Sequence, residues 1–293
     1  MRRLFSILLA ASLAAMPAVL SATSPGFSAL VVFGDSYCDV GNISLATNGA
    51  IPGPSYFNGR FSNGPIWVDH VSGFLGLLLL PSLTPSTGGT DYAFGGAEVT
   101  TSNTPLGRVP SVPAQVLLYL HDHGGKADPN ALYIIEGGGN DILDAPPGTN
   151  PNTLGFQIAS GIAASELVLR QAGARHFVIP NLFNIGILPA AAANVPFATA
   201  ATNATNTWLT KLLVLEDLLQ GVHILRVDIF SLMNAVQTDP THFGFTDITT
   251  PCLQGSTVCS FPYVTLFWDP EHPTLFGHSF FAVVLESALA TKN

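Results

Sequence analysis

Ser36 stands in Phe33-Gly34-Asp35-Ser36-Tyr37, directly after the apolar run 29–33. Near the other end of the chain, Asp269-Pro270-Glu271-His272-Pro273 precedes the last apolar segment. A serine hydroxyl is a poor nucleophile at neutral pH. It becomes an effective one when a histidine takes its proton and a carboxylate orients that histidine. The two segments hold all three groups. A fold that joins them makes a serine hydrolase, with Ser36 as nucleophile, His272 as base and Asp269 as the orienting carboxylate. Read singly, each segment has a plainer meaning: an ordinary strand-to-helix turn at Ser36, and a solvated loop histidine with Asp269 as a cap.

Two glycine-rich loops could serve the same chemistry. Gly137-Gly138-Gly139-Asn140-Asp141 lets the backbone pass close to a ligand, and the Asn140 amide can donate to a developing oxyanion. It could instead be a flexible turn with a helix cap. It is not a phosphate loop, because no lysine follows at the required spacing. Asp91-Tyr92-Ala93-Phe94-Gly95-Gly96-Ala97 adds a second glycine pair, from which the backbone N–H of Gly96 is a further candidate donor. The choice between Gly95 and Gly96 stays open at this point. The residue before a proline is pushed out of the helical region, so His272 is expected in extended backbone, with Thr274 capping the helix that follows.

These loops need elements to position them. Short apolar runs at 30–33, 77–80, 132–136, 176–179 and 224–227 read as strands buried on both faces. Longer stretches at 66–74, 112–122, 153–171, 204–220 and 275–289 read as helices. The alternation predicts an α/β fold: a three-layer α/β/α sandwich around a five-stranded parallel sheet, flavodoxin-like in outline. Ligands of such sheets bind beyond the carboxyl ends of the strands, which gathers the loops starting at Gly34, Gly137 and Asn181 into one cleft. The Ala-, Asn- and Thr-rich stretch 188–207 reads as a loop or helix lead-in.

Residues 1–22 read as a secretory signal, with Arg2 and Arg3 ahead of an apolar stretch, and 23–293 as a single domain. A membrane anchor is the competing reading of that stretch, which is short and interrupted by Pro17. Net charge is −9, and loss of Arg2 and Arg3 makes the mature chain more acidic still. That balance argues against nucleic acid and against electrostatic docking on anionic lipid. Of the three cysteines, Cys252 and Cys259 bracket a short polar loop and are expected to form a disulfide in an extracellular protein. Cys38 reads as a buried small hydrophobe rather than a second nucleophile. Asn42-Ile43-Ser44 and Asn203-Ala204-Thr205 match the glycosylation acceptor pattern, for which chance is the default explanation.

Taken together the segments resemble the GDSL family of lipases and esterases, the SGNH hydrolases. Phe33-Gly34-Asp35-Ser36, Gly138-Gly139-Asn140-Asp141 and Asp269-Pro270-Glu271-His272 match three signature blocks. Asn58-Gly59-Arg60-Phe61-Ser62-Asn63-Gly64-Pro65 and Tyr92-Ala93-Phe94-Gly95-Gly96-Ala97 look like the long secreted branch, with plant, fungal and haemolysin-like members. The resemblance implies a catalytic set of Ser36, Asp269 and His272, and an oxyanion hole of Ser36 N–H, Gly96 N–H and Asn140. Two-step acyl transfer on such a set needs no metal and no cofactor, and the expected partner is an ester: an acetylated sugar, a short-chain acyl ester or a lipid met at a transient interface; a monomer is expected. Tyr37 departs from the pattern, since leucine is usual there. The absence of Gly-x-Ser-x-Gly argues against the nucleophile elbow of the α/β-hydrolases. Two other readings compete: a metal-dependent phosphoesterase using Asp35, Asp39, Asp269 and His272, and a secreted carbohydrate- or lipid-binding protein on a decayed hydrolase fold.

Overall fold

A computed structural model describes residues 26–85, 88–216 and 221–291. The signal segment lies outside the described residues. In chain order the elements are β1 (Leu30–Phe33), α1 (Asn42–Ala46), α2 (Trp67–Leu75), a small hairpin of β2 (Asn103–Thr104) and β3 (Gly107–Arg108), α3 (Val112–Asp122), β4 (Leu132–Ile135), α4 (Gly139–Leu143), α5 (Pro151–Ala172), β5 (His176–Pro180), α6 (Val195–Glu216), β6 (His223–Val227), α7 (Ile229–Thr238), a second hairpin of β7 (Leu253–Gln254) and β8 (Thr257–Val258), and α8 (Leu275–Ala290). Short 3-10 turns at Ile185–Ile187 and Pro189–Ala193 shape the loop after β5.

The central sheet is parallel, in the order β1-β4-β5-β6, with Leu30 opposite Leu132 and Leu132 opposite His176. Every residue of β1 and β4 is buried, as continuous apolar runs require when helices cover both faces. The α5 helix packs between α3 and α6, and α2 packs against α8. One apolar cluster runs from Leu30 in β1 to Leu289 in α8. Among the described residues no helix is long and apolar enough to cross a membrane.

Among the described residues the sheet has four strands, one fewer than the sequence predicts. The missing strand is 77–80. Leu78 is 76% exposed, so the segment is not buried on both faces, and Pro81 ends it without an N–H to donate. Asp91 covers the free edge of β1 through an isolated bridge to Val32, and forms a second bridge to Pro81. Val32 N donates to Thr90 O at 3.0 Å and Tyr92 N to Val32 O at 2.7 Å. The polar turn after the expected strand thus replaces it.

The stretch 188–207, read as a loop or helix lead-in, is already helical from Val195, where α6 begins, nine residues ahead of the predicted start at 204. Its small residues are there for close packing rather than for a turn. Gly155 of α5 faces Ala204, and a Cβ on that glycine would come within 2.6 Å of the Ala204 side chain. Buried Thr202 and Thr205 return their hydroxyl protons to Ala198 O and Ala201 O, so their polar atoms stay satisfied at this crossing. The α5 helix begins at Pro151, two residues before its predicted start. Asn150 caps it by accepting from Asn152 N and Thr153 N. The α7 helix was not predicted; Asp228 caps it by accepting from Ser231 N at 3.0 Å.

Candidate active site

Ser36 sits on the tight turn that ends β1. Asp35 O accepts from Cys38 N and Asp39 N, and Asp35 Oδ1 accepts from Tyr37 N at 3.0 Å. This self-bonded turn leaves the Ser36 N–H without a protein acceptor among the described residues. Ser36 itself is only 4% exposed.

At the other end of the fold, Asp269 folds the chain back on itself. Its Oδ1 accepts from Glu271 N and His272 N, each at 2.8 Å, which turns the imidazole back over the carboxylate. His272 Nδ1 lies 2.8 Å from both Asp269 oxygens. His272 Nε2 lies 2.7 Å from Ser36 Oγ. The carboxylate fixes the tautomer: Nδ1 carries the proton and donates to Asp269, and Nε2 accepts from the serine hydroxyl. Thr274 then caps α8 by accepting from Gly277 N, as the sequence predicts.

The electrostatics follow from burial and pairing. Burial alone pushes His272 down, but the adjacent Asp269 carboxylate outweighs it and holds the imidazole above its ordinary value of 6.5. Burial pushes Asp269 up, yet the His272 charge and hydrogen bond, the Glu271 N–H and the Tyr56 hydroxyl bring it down to about 2. Asp35, beside the nucleophile, is held up at about 6 by burial. Cys38 is buried, and burial together with Glu136 and Asp35 pushes its thiol well up, so it stays protonated and inert.

The structure brings Asn140 to the same cleft. Asn140 shares the walls of this cleft with Ser36 and His272. One amide hydrogen of Asn140 donates to Ala97 O at 2.9 Å, leaving the second for a ligand. Ala97 belongs to the second glycine loop, and Asp141 holds that loop by accepting from Val99 N and Thr100 N. Gly95 N donates to buried Asp39 Oδ2 at 2.8 Å. The neighbouring Gly96 N–H has no protein acceptor among the described residues, and its φ of +76° suits glycine. Of the pair left open by the sequence, Gly95 has its N–H taken and Gly96 has its N–H free among the described residues.

Asp39, a candidate metal ligand on sequence grounds, is occupied otherwise. Its carboxylate accepts from Gly41 N, Asn42 N, Ile43 N and Gly95 N. Asn42 is not open to a glycan: it is fully buried and donates to Asp91 O and Ala93 O. Of the loop after β5, Leu182, Phe183, Ile185 and Leu188 reach the cleft. Asn181 itself turns to Asp228, donating at 2.8 Å.

Three contacts of the site had no assigned role in the sequence. Tyr37 donates its hydroxyl to Glu271 O, tying the serine turn to the histidine turn, and its ring lies 5.7 Å from that of His272. Phe61 packs its ring 4.9 Å from His272, and Tyr56 donates to Asp269 Oδ2 at 2.7 Å. The signal for the last two was the block 58–65 beside Tyr56, whose residue types alone gave no partner. The Cys252–Cys259 disulfide is present. Its hairpin is bonded to the run-up to Asp269 through Cys252 N to Phe267 O and Leu253 N to Trp268 O.

Comparison with known proteins places the chain in a family. The family model for GDSL-like lipase/acylhydrolase matches residues 30–284. The thermolabile hemolysin of Vibrio parahaemolyticus is 25% identical over 90% of this chain, which spans 63% of the hemolysin's own length. A phosphatidylcholine-sterol acyltransferase of Aeromonas hydrophila is 28% identical, covering 88% of this chain and 74% of its own. A GDSL esterase/lipase of Arabidopsis thaliana is 28% identical, covering 86% and 83%. The acetylxylan esterase of Geobacillus stearothermophilus shares the fold, with a TM-score of 0.51 at 16% identity over 91% of this chain and 95% of its own. The chain belongs to the GDSL-like lipase/acylhydrolase family of carboxylic ester hydrolases.

Proposed function

We propose that the protein is a secreted serine esterase, one domain over 23–293, that cleaves short-chain acyl esters through an acyl-enzyme on Ser36. The observation that carries this reading is the unbroken hydrogen-bonded chain from Ser36 Oγ to His272 Nε2 at 2.7 Å and from His272 Nδ1 to Asp269 at 2.8 Å. His272 removes the Ser36 proton as Oγ attacks the ester carbonyl. Asp269 steadies the imidazolium that forms. The Ser36 and Gly96 N–H groups and the free hydrogen of Asn140 receive the oxyanion. Each such donor contributes about 3–4 kcal/mol of transition-state stabilisation. His272 then protonates the leaving alcohol, and water attacks the acyl-enzyme by the same route in reverse.

Two features support the finer parts. Leu143, Leu182, Phe183, Ile185 and Leu188 line the cleft beside Ser36, an apolar wall that suits an uncharged acyl group. The Cys252–Cys259 disulfide suits an oxidising compartment, in keeping with the leader read from the sequence. The test is a substrate panel of nitrophenyl esters, acetylated sugars and phospholipids on wild type and Ser36→Ala. Hydrolysis of a short ester that vanishes in the variant supports the reading. Hydrolysis that survives the substitution contradicts it.

A further inference from the structure

The block 56–63 has no part in the hydrolysis described above, yet it touches the histidine turn at four successive points. Tyr56 donates to Asp269 Oδ2 at 2.7 Å. Phe61 packs on the His272 ring. Ser62 Oγ donates to Pro273 O at 2.9 Å. Asn63 Oδ1 accepts from Leu275 N at 2.7 Å. Of these four, the first reaches the charge that orients the base. Tyr56 is itself held in place, with its ring edge-on to Phe61 and to Trp268 at 6.1 and 6.4 Å. Trp268 and Tyr56 pack on the half of the disulfide hairpin formed by Cys252 and Leu253.

We propose that Tyr56 is a positioning residue of the hydrolytic site, acting through Asp269: its hydroxyl fixes the carboxylate against His272 and tempers the negative charge facing the imidazole. This inference rests on the serine-esterase reading. The backbone N–H groups of Glu271 and His272 secure Asp269 Oδ1, whereas Oδ2 has Tyr56 as its partner besides the imidazole. Without that hydroxyl the carboxylate loses one of its fixed points. A donor to a carboxylate disperses its charge, so removing it makes Asp269 hold the imidazolium proton more tightly. Burial and the Asp269 carboxylate push the Tyr56 phenol far above its ordinary value, which keeps it a donor throughout the working range.

The other titratable groups facing the Asp269–His272 pair are Glu271 on the same turn, Asp35 and Tyr37 after β1, and His278 on α8, with Glu136 at the end of β4 behind Asp35. Replacing Tyr56 alters none of them, so a shift between two proteins isolates its effect. The experiment measures kcat and KM for a nitrophenyl acetate across the acid and neutral range in wild type and Tyr56→Phe. The expected result is a plateau kcat lower by roughly three- to tenfold with KM unchanged, and an acid limb moved to higher pH by about half a unit. A ring-fluorinated tyrosine placed at position 56, nearly isosteric and a stronger donor, moves the limb the opposite way, and it carries the test if Tyr56→Phe melts far below wild type. An acid limb that coincides with wild type overturns the inference. A wild type that neither cleaves the ester nor reacts at Ser36 with an organophosphonate removes the esterase reading, and this inference with it.

Discussion

His272 Nε2 lies 2.7 Å from Ser36 Oγ, although 236 positions separate the two residues in the chain. The parallel sheet explains the meeting. Ser36 leaves the carboxyl end of β1, and the turn that leads into α8 is drawn to the same end by the Tyr37 hydroxyl on Glu271 O and by Ser62 on Pro273 O. The site therefore depends on side chains outside the reacting set to hold its two halves in register.

Asn140→Ala lowers kcat by roughly 10²–10³-fold with little change in KM, because the lost hydrogen bond acts on the oxyanion and not on the ground-state ester. The fold tolerates the change, since the Asp141 carboxylate still holds Val99 N and Thr100 N. Steady-state kinetics on a short nitrophenyl ester check this. A loss confined to KM would count against the oxyanion role.

Activity requires neutral His272. Its net shift is upward from 6.5, because the Asp269 carboxylate outweighs the effect of burial. The acid limb of kcat/KM therefore lies above that ordinary value, and activity falls as pH drops through it. Asp269→Asn removes the charge and frees the tautomer, lowering kcat by roughly 10⁴-fold. A pH–rate profile on both proteins reads this; a limb well below 6.5 in wild type would speak against the assignment of the base.

Much of this was legible in the sequence, for physical reasons that differ by segment. The buried runs of β1 and β4 are continuous apolar strings, which parallel strands covered on both faces demand. The Asp269–His272 turn is short enough for Pro270 and Pro273 to fix its backbone, so residue types and spacing determine the contact. The run 77–80 misled because apolar composition alone does not say whether both faces are covered, and Leu78 is largely in water. The start of α6 was hidden because Ala, Thr and Asn serve a close helix crossing as well as a loop. Tyr56 could not be found, because its contact with Asp269 spans 213 positions and no local pattern encodes it.

Replacing both Cys252 and Cys259 by serine lowers stability by about 2–3 kcal/mol, the entropic share expected for so short a loop. The denaturant midpoint reads the change. Activity falls as well, because the hairpin is bonded to Phe267 O and Trp268 O just ahead of Asp269. An unchanged midpoint under non-reducing conditions would contradict the supporting role.

Acyl length provides a separate check on the cleft. With Leu143, Leu182, Phe183, Ile185 and Leu188 crowding the cleft beside Ser36, acetyl and butyryl esters should be preferred, and kcat/KM should drop at least tenfold by the octanoyl ester. Tyr37, Glu136, Leu182 and Phe183 line both this cleft and a second, apolar cavity that Trp67, Val227 and Phe281 also line. Phe183→Ala thins the wall they share and shifts the preference to longer chains. A wild type that favours long chains would rule out the small-acyl reading.

The most direct measurement is reaction of the protein with a fluorophosphonate probe, followed by peptide mapping by mass spectrometry. A single adduct on Ser36 is expected, formed at a rate that rises with deprotonation of His272 and is abolished in His272→Ala. Absence of an adduct on Ser36 in folded protein, or labelling at the same rate without His272, would contradict the account.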